Sequence, residues 1–228
     1  MIQFMMNGVT QMHRLTLCAA LPLALIACNS SDKAEASGEE TQAVAAISPV
    51  DTIPFETTVV GQFDEPWAMT FLPDGRALVT EKKGKLKLVT FAADGKISSV
   101  DVSGMPTVAY GGQGGLGDVV LSPDFVNDGY VYLSFAEAGD GDTSGAAVAR
   151  AKLVMANDGA ASLKDMQVLW RQEPKVSGKG HYGHRIAFGP DGMMYISSGE
   201  RQKFDPAQDL DQNLGKVIRL TPTGGIPS

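Results

Sequence analysis

Three stretches of the chain repeat one pattern of apolar and turn-forming positions. Each begins with an apolar run typical of a β-strand, continues through a Pro-Asp pair and ends with a second apolar run; the stretches are residues 66 to 81, 116 to 134 and 184 to 200. Proline presets the first dihedral angle of a turn, and a nearby glycine or asparagine tolerates the conformation that follows. Each stretch therefore predicts a β-hairpin.

A further strand is predicted after each hairpin. The segments are GKLKLVT at 84–90, AAVARAKLV at 146–154 and GKVIRLT at 215–221. A multi-strand unit that recurs every 50 to 70 residues or so, with almost no helical periodicity, is typical of an all-β fold of the β-propeller type. A two-layer sandwich is the alternative, but it would not require one hairpin to recur three times. Three units do not close a propeller, so we expect part of a larger one.

The first 28 residues predict an export signal. His13 and Arg14 precede an apolar run at 15–27, which is too short for an ordinary membrane span and suits a signal peptide. The sequence Leu-Ile-Ala-Cys that ends at Cys28 resembles the lipobox of bacterial lipoproteins, in which the cysteine becomes the lipidated first residue. A plain secretory signal cleaved nearby is the alternative. Both interpretations export the protein, to the periplasm or to the outer membrane through a lipid anchor.

The segment after the signal predicts a tether. Residues 29–51 are small, polar and acidic without an aromatic residue, a composition typical of disordered linkers, so the partial propeller domain is expected at 52–228. The chain contains two cysteines, Cys18 and Cys28. Since both precede this domain, we expect neither a disulfide nor a cysteine-based metal site within it.

Composition and charge narrow the class of partner. The chain has 43% hydrophobic and 20% charged residues, an ordinary globular balance. Its net charge is -7 and its pI is about 4.9. Such a surface repels phosphate, and no cluster of basic residues offsets it, which argues against nucleic-acid binding. A small-molecule partner is favoured.

His181 and Glu200 are the candidate catalytic residues. His181 precedes the first strand of the third unit, where propeller loops converge near the central axis, and an imidazole with a pKa of about 6.5 accepts protons near neutral pH. Because a hairpin folds back on itself, the Glu200 carboxylate can return close to His181. There it would fix the tautomer of the ring and stabilise the imidazolium.

Other interpretations of these residues remain open. His181 could be a structural loop histidine, and Glu200 with Arg201 could form a solvated turn. A metal pair of His181 and His184 is disfavoured, because strand alternation and Gly183 point the two rings apart and no third ligand is evident. No metal ligand is assigned.

A glycine-rich stretch at 110–118, YGGQGGLGD, is a candidate binding loop. It is not a phosphate loop, since neither Gly-Lys-Ser/Thr nor a helix follows. Glycines there would let the backbone approach a ligand closely, with Gln113 as the one polar side chain among them.

Five motifs together resemble one enzyme family. In this order and spacing, GGQGGLGDVVLSPDF, HYGHRIAFGPDG, SSGER, AQDLDQNLGKVIRL and GGIP are similar to the glucose/sorbosone dehydrogenase family, over about residues 55 to 228. Its members are exported aldose sugar dehydrogenases that use pyrroloquinoline quinone on a six-bladed β-propeller. The resemblance implies oxidation of the anomeric carbon of an aldose, with the quinone as hydride acceptor and an external electron acceptor.

The resemblance also assigns residue roles. The family's general base opens an H-x-G-x-R segment and falls on His181, the acidic residue that supports it falls on Glu200, and the glutamine that lines the cofactor and sugar pocket falls on Gln113. His184 stands where members often carry a small residue, and we expect it to be a neighbour in the pocket wall.

The chain departs from the family pattern in its extent. The family's calcium ligands and the basic residues that hold the quinone carboxylates belong to later blades, and nothing in this chain matches them. The resemblance therefore implies about three of six blades, calcium ligands downstream, and a fragment that is inactive as a dehydrogenase. Two other classes stay open: a calcium-dependent lactonase-like propeller and a non-catalytic propeller lipoprotein that binds sugar or protein.

Cys28 is expected to be the lipidated first residue of the mature protein. The lipobox-like sequence precedes it, and the tether that follows would let a folded domain stand clear of the membrane. Mass spectrometry of membrane-extracted protein should find an acylated N-terminal peptide beginning at Cys28, and Cys28→Ser should abolish it. An unmodified N-terminus at another residue would contradict this prediction.

Overall fold

Twelve strands and two short helical turns make up the part of the chain that is described, residues 56 to 228, in this computed structural model. The predicted signal peptide (1–28) and tether (29–51) lie outside the described residues. The two helical turns are α1 (Phe125–Asp128) and a 3-10 turn at Asp205–Gln208. Neither is long enough to cross a bilayer, and no other helix occurs in the described range.

The strands form three antiparallel meanders. The first sheet contains β1 (Pro66–Phe71), β2 (Ala77–Glu81), β3 (Lys85–Phe91) and β4 (Ile97–Ser103). The second sheet contains β5 (Leu116–Leu121), β6 (Tyr130–Ala138), β7 (Thr143–Met155) and β8 (Ala161–Arg171), with β9 (Val176–Ser177) paired to β7. The third sheet contains β10 (Gly183–Phe188), β11 (Met194–Ser198) and β12 (Lys216–Leu220).

The relation between the sheets is propeller-like. The first strands of successive sheets lie side by side, β1 next to β5 and β5 next to β10. The outer strands β4 and β8 form a short parallel pairing, which makes the first and second sheets one continuous hydrogen-bonded sheet of nine strands. The predicted all-β fold and the three recurring hairpins are confirmed, with one difference. In the second hairpin the Pro-Asp pair leads into the helical turn α1 instead of a tight turn.

One tight turn recurs at the ends of strands. Its first residue accepts a hydrogen bond from the N–H of the fourth, as in Gly75 to Leu72 (3.0 Å) and Gly192 to Gly189 (3.0 Å). The fourth residue is a glycine with positive φ, 86° at Gly75 and 74° at Gly192, a conformation that favours glycine. The aspartate before it accepts the N–H two residues on, as Asp74 does from Arg76 (3.1 Å). The same turn occurs at 72–75, 92–95, 156–159 and 189–192.

Each first strand carries a β-bulge at an equivalent place. The pairing shifts between Pro66 and Met69 in β1, between Leu116 and Val119 in β5, and between Gly183 and Ile186 in β10. Within each bulge one N–H donates to a hydroxyl on the second strand of the same sheet; the pairs are Ala68 with Thr80 (2.9 Å), Asp118 with Ser134 (2.7 Å) and Arg185 with Ser197 (3.0 Å). The threonine and serines therefore satisfy donors that the strand ladder leaves unpaired.

Two further hydrogen bonds link neighbouring sheets at these bulges. The Thr80 hydroxyl donates to the carbonyl oxygen of Gly117 (2.7 Å), which joins the first sheet to the second. The buried Asp118 carboxylate accepts the N–H of Ile186 (2.8 Å), which joins the second sheet to the third. Burial raises the pKa of Asp118, and the N–H of Ile186 and the nearby Arg185 oppose that rise.

Apolar side chains fill the space between the sheets. Between the first and second sheets they include Leu78, Leu86, Leu88, Val119, Val131 and Leu133. Between the second and third they include Tyr132, Val148, Ile186, Met194, Ile196 and Leu220. Burial of this apolar surface is the main force that holds the sheets together.

His184 lies in this core, and the expectation that it belongs to a pocket wall is wrong. It is 2% exposed, its ring stacks on Trp67 with centroids 5.1 Å apart, and its Nδ1 is 2.7 Å from the Ser134 hydroxyl oxygen. A Cβ atom added at Gly117 would overlap the His184 ring. The glycine therefore makes room for a histidine that joins all three sheets.

Because of His184, the free energy of unfolding should decrease as the pH decreases. Burial lowers the pKa of His184 to about 4, below the ordinary 6.5 that it regains on unfolding. The unfolded state therefore binds the proton first, and the stability that neutral His184 contributes is lost as pH falls from 6.5 towards 4. At 1.36 kcal/mol per pKa unit, the wild type should lose about 2 kcal/mol of unfolding free energy from this group between pH 7 and pH 5.

The matched control is His184→Phe, whose ring can still stack on Trp67 but cannot bind a proton. Urea unfolding of both proteins at pH 7 and pH 5 isolates the histidine from other titrating groups. An equal loss of stability in the two proteins would show that His184 does not carry the effect.

Candidate active site

The β10–β11 hairpin brings His181 and Glu200 into contact. His181 lies two residues before β10 and Glu200 two residues after β11. The backbone pairing continues beyond the strands, since the N–H of Gly199 donates to Tyr182 O (2.9 Å) and the N–H of Arg201 to His181 O (3.2 Å). Across this extension His181 Nδ1 forms a hydrogen bond with Glu200 Oε1. The hairpin interpretation of the sequence thus describes the observed geometry.

The Glu200 carboxylate is held in its charged form. Its pKa is lowered chiefly by the hydrogen bond with His181, and the backbone N–H groups of Lys203 and Phe204 add to this. Lys203 N lies 2.9 Å from Oε2. With Nδ1 donating to this carboxylate, the neutral imidazole carries its lone pair on Nε2. The side chain of His181 is 45% exposed, so the pair can act on a molecule that arrives from solvent.

Gln113 holds the main chain next to His181. Its side-chain oxygen accepts the N–H of His181 (2.7 Å), and its own N–H donates to the carbonyl oxygen of Lys179 (2.7 Å). One residue of the second sheet's glycine-rich loop therefore fixes the chain on both sides of Gly180. The three site residues predicted from the sequence, Gln113, His181 and Glu200, lie together. Gln113 contacts the backbone of His181 and not its ring.

The loop at 111–115 combines unusual backbone with nearby cations. Gly111, Gly112 and Gly115 have φ values of 140°, 55° and 143°. Lys82 Nζ donates to the Gly112 carbonyl oxygen (2.9 Å), and the Lys179 side chain lies beside Gly111. The glycines thus let the chain at Lys179 and Lys82 pack directly against the loop, and the Lys82 ammonium is also paired with Glu65 (3.0 Å).

His181 and His184 do not share a site. His181 bonds to Glu200 at the surface, whereas His184 bonds to Ser134 in the core. Between residues 56 and 228 no group of three or more His, Cys, Asp and Glu side chains could hold a metal ion.

Arg201 is a residue whose place the sequence did not indicate. It is 1% exposed, so its interpretation as part of a solvated turn is wrong. Its guanidinium donates to the carbonyl oxygens of Gly178 (2.5 Å), Gly180 (2.9 Å) and Ser144 (2.5 Å), and it lies 3.7 Å from the centre of the Tyr182 ring. Charged residues are rarely buried without a charged partner, and no local pattern marks this one as buried.

Left-handed backbone is concentrated around this site. Seven residues other than glycine have positive φ in the described range. Five of them lie where the chain enters and leaves the β10–β11 hairpin: His181, His184, Arg201, Gln202 and Phe204. Such conformations cost free energy and persist only where the surrounding contacts impose them, which is common at functional sites.

Comparison with known proteins identifies the family of the chain. The sequence model of the family described as Glucose / Sorbosone dehydrogenase matches residues 63–228. Aldose sugar dehydrogenase YliI of Escherichia coli K12 is 41% identical over 167 residues, which are 73% of this chain and 43% of that protein. A second curated relative, an uncharacterized Synechocystis protein named slr1608, is 28% identical over 95% of this chain and 57% of its own length. This chain spans about half the length of these relatives.

Two solved structures share the fold. The apo form of the soluble aldose sugar dehydrogenase from Escherichia coli is 40% identical with a TM-score of 0.66, over 72% of this chain and 46% of that one. The PQQ-bound aldose sugar dehydrogenase from Streptomyces coelicolor is 30% identical with a TM-score of 0.62, over 74% and 48%. The family match covers both the His181–Glu200 pair and the glycine-rich loop, and the chain belongs to the glucose/sorbosone dehydrogenase family.

Proposed function

We propose that this chain supplies the proton-accepting part of an aldose dehydrogenase that oxidises the anomeric carbon of a sugar. The contact between His181 Nδ1 and Glu200 Oε1 carries the proposal, because it leaves Nε2 of an exposed imidazole as the proton acceptor. The aldose sugar dehydrogenases to which the chain is similar support the substrate class. The PQQ-bound relative supports the cofactor class.

The two residues would divide the proton chemistry between them. His181 would take the proton of the anomeric hydroxyl as the carbon loses a hydride, so that the C–OH group becomes the C=O group of a lactone. Glu200 would hold the ring in the required tautomer and stabilise the imidazolium. Bound pyrroloquinoline quinone would supply the acceptor for the hydride. Proton and hydride together account for both electrons and both hydrogens lost by the sugar.

The glycine-rich loop would form one wall of the cofactor site. Gly111 and Gly112 let the Lys179 segment pack against the loop, and the Lys179 ammonium would complement a carboxylate of the quinone. Gln113 would line the same wall while it holds His181. Calcium has no assigned ligand among residues 56 to 228.

The architecture and the location are part of the proposal. Each of the three sheets would be one blade of a six-bladed propeller, which is supported by the recurring bulges and by the share of the Escherichia coli structure that the chain covers. Export as a periplasmic or outer-membrane lipoprotein is supported by the lipobox-like sequence Leu-Ile-Ala-Cys, whose cysteine is Cys28. An external acceptor would then reoxidise the cofactor.

In a full-length version of the enzyme, His181→Ala should lower turnover by at least about 10²-fold, as expected when a general base is lost. A dye-linked aldose oxidation assay of protein reconstituted with quinone and calcium measures this directly. Quinone affinity, measured by titration, should change little because the imidazole is not assigned to hold the cofactor. Turnover close to that of the wild type would show that His181 is not the base.

Glu200→Gln should reduce turnover less than His181→Ala, because it weakens the orientation of the base and leaves the base in place. The matched control is Glu137→Gln. Glu137 pairs with Arg171 (2.7 Å) and Lys175 (2.6 Å) in the second sheet, so this variant should leave turnover unchanged. Equal turnover in the two variants would remove the orienting role from Glu200.

A further inference from the structure

We infer that Arg201 is a positioning residue that holds segment 178–181 in the place where His181 meets Glu200. The inference rests on the proposed function, because it matters to catalysis only if His181 is the base. It concerns a residue that contacts neither the sugar nor the cofactor in the scheme above. Arg201 would act through the main chain of the histidine segment.

The burial of this guanidinium needs a physical reason. The side chain is 1% exposed, and this burial lowers the pKa of Arg201. An apolar side chain would fill the same space without the cost of removing a charge from water. The charge is compensated by carbonyl oxygens of Gly178, Gly180 and Ser144 and by the face of the Tyr182 ring. Two of these partners, Gly178 and Gly180, belong to the segment of chain that leads to His181.

Apart from the bonds of Gln113 to Lys179 and His181, the segment before His181 has few means to define its path. Gly178 and Gly180 have no side chains, and the φ of 98° at Gly178 is in the region that favours glycine. The Arg201 fork binds the carbonyl oxygens of both glycines and reaches Ser144 on β7 with its third bond. It therefore ties the entry of the third sheet to the second sheet. A planar group with several fixed donors suits this task, whereas an ammonium does not.

Strain at both ends of the contact supports the same conclusion. His181 and Arg201 have φ values of 49° and 60°, and the N–H of Arg201 donates to His181 O. Neither backbone conformation is favoured by its own residue, so the contacts around them must impose both. Glu200 is the chain neighbour of Arg201, and a fixed Arg201 therefore places the carboxylate as well as the histidine.

Two variants separate the geometry of the fork from its charge. Arg201→Lys keeps the positive charge but cannot bind three carbonyl oxygens in one plane, and Arg201→Met fills much of the volume without a charge. The matched control is Arg219→Lys. Arg219 on β12 donates two hydrogen bonds to Oδ2 of Asp191 (2.9 and 3.2 Å), in the turn between β10 and β11, and its side chain is 45% exposed.

The first measurement is the titration of the Glu200 carboxyl, followed by NMR in protein labelled with ¹³C at glutamate. The hydrogen bond from His181 lowers the pKa of Glu200. If Arg201 holds the histidine, this pKa should rise towards the ordinary carboxyl value in Arg201→Lys and Arg201→Met and stay at the wild-type value in Arg219→Lys. A rise in the lysine variant cannot come from loss of charge.

The second measurement is the kinetics of a full-length version of the enzyme, reconstituted with quinone and calcium. Displacement of the base should lower kcat by about 10²-fold in both Arg201 variants and leave KM for the sugar within about twofold, since misplacement of a reacting group affects chemistry more than binding. Arg219→Lys should match the wild type in both constants.

A merely structural Arg201 would give a different result. The thermal midpoint would fall while the Glu200 titration and kcat stayed at wild-type values, and this outcome would overturn the inference. Global unfolding of both Arg201 variants would overturn it too, because it would show that the guanidinium holds the sheets and not the histidine segment. The NMR titration needs no catalysis. If His181→Ala kept full turnover, the proposed function would fail while the titration still decided whether Arg201 positions the pair.

Discussion

The hydrogen bond between the bulge of each first strand and a hydroxyl on the second strand is the constraint that sets the shape of the sheets, while apolar burial supplies most of the stability. A bulge bends its strand and frees an N–H, and a buried N–H without a partner costs about 1 to 3 kcal/mol. Thr80, Ser134 and Ser197 accept these bonds. Two of the bulge positions also reach the next sheet, through Thr80 to Gly117 and through Asp118 to Ile186. The bulge and its hydrogen bonds thus shape each sheet and fix its position beside the next sheet.

The candidate site is held mainly through its backbone. Gln113 accepts the N–H of His181, and Arg201 binds the carbonyl oxygen of Gly180. The single side-chain contact between catalytic candidates is that of His181 with Glu200. Base and orienter therefore belong to one hairpin, while the groups that hold them are Arg201, the chain neighbour of Glu200, and Gln113 in the loop before β5. This division allows the loop around the base to consist largely of glycine without loss of a defined position.

Local signals in the sequence predict the hairpins and the contact between His181 and Glu200, because Pro-Asp and Asp-Gly turns act over a few residues. The fourth strands were not predicted. In β4, ISSVDVS, polar and apolar residues alternate only over the last five positions, and Val102 alone is buried, so the signal for a strand is weak. The stack of His184 on Trp67 and the burial of Arg201 were not predictable either. Both depend on partners distant in the chain, and a histidine or arginine in a polar loop is ordinarily at the surface.

The span of the contacts around the site has a consequence for the order of assembly. His181 and Glu200 are 19 residues apart, whereas Gln113 and His181 are 68 apart and Arg201 and Ser144 are 57 apart. Short loops close at less entropic cost than long ones, so contacts within a hairpin form earlier than contacts between sheets. The histidine and its carboxylate can meet as soon as the third hairpin closes. Their fixed position beside the glycine loop comes only when the second and third sheets dock, and a competent site is among the last features that the folding chain acquires.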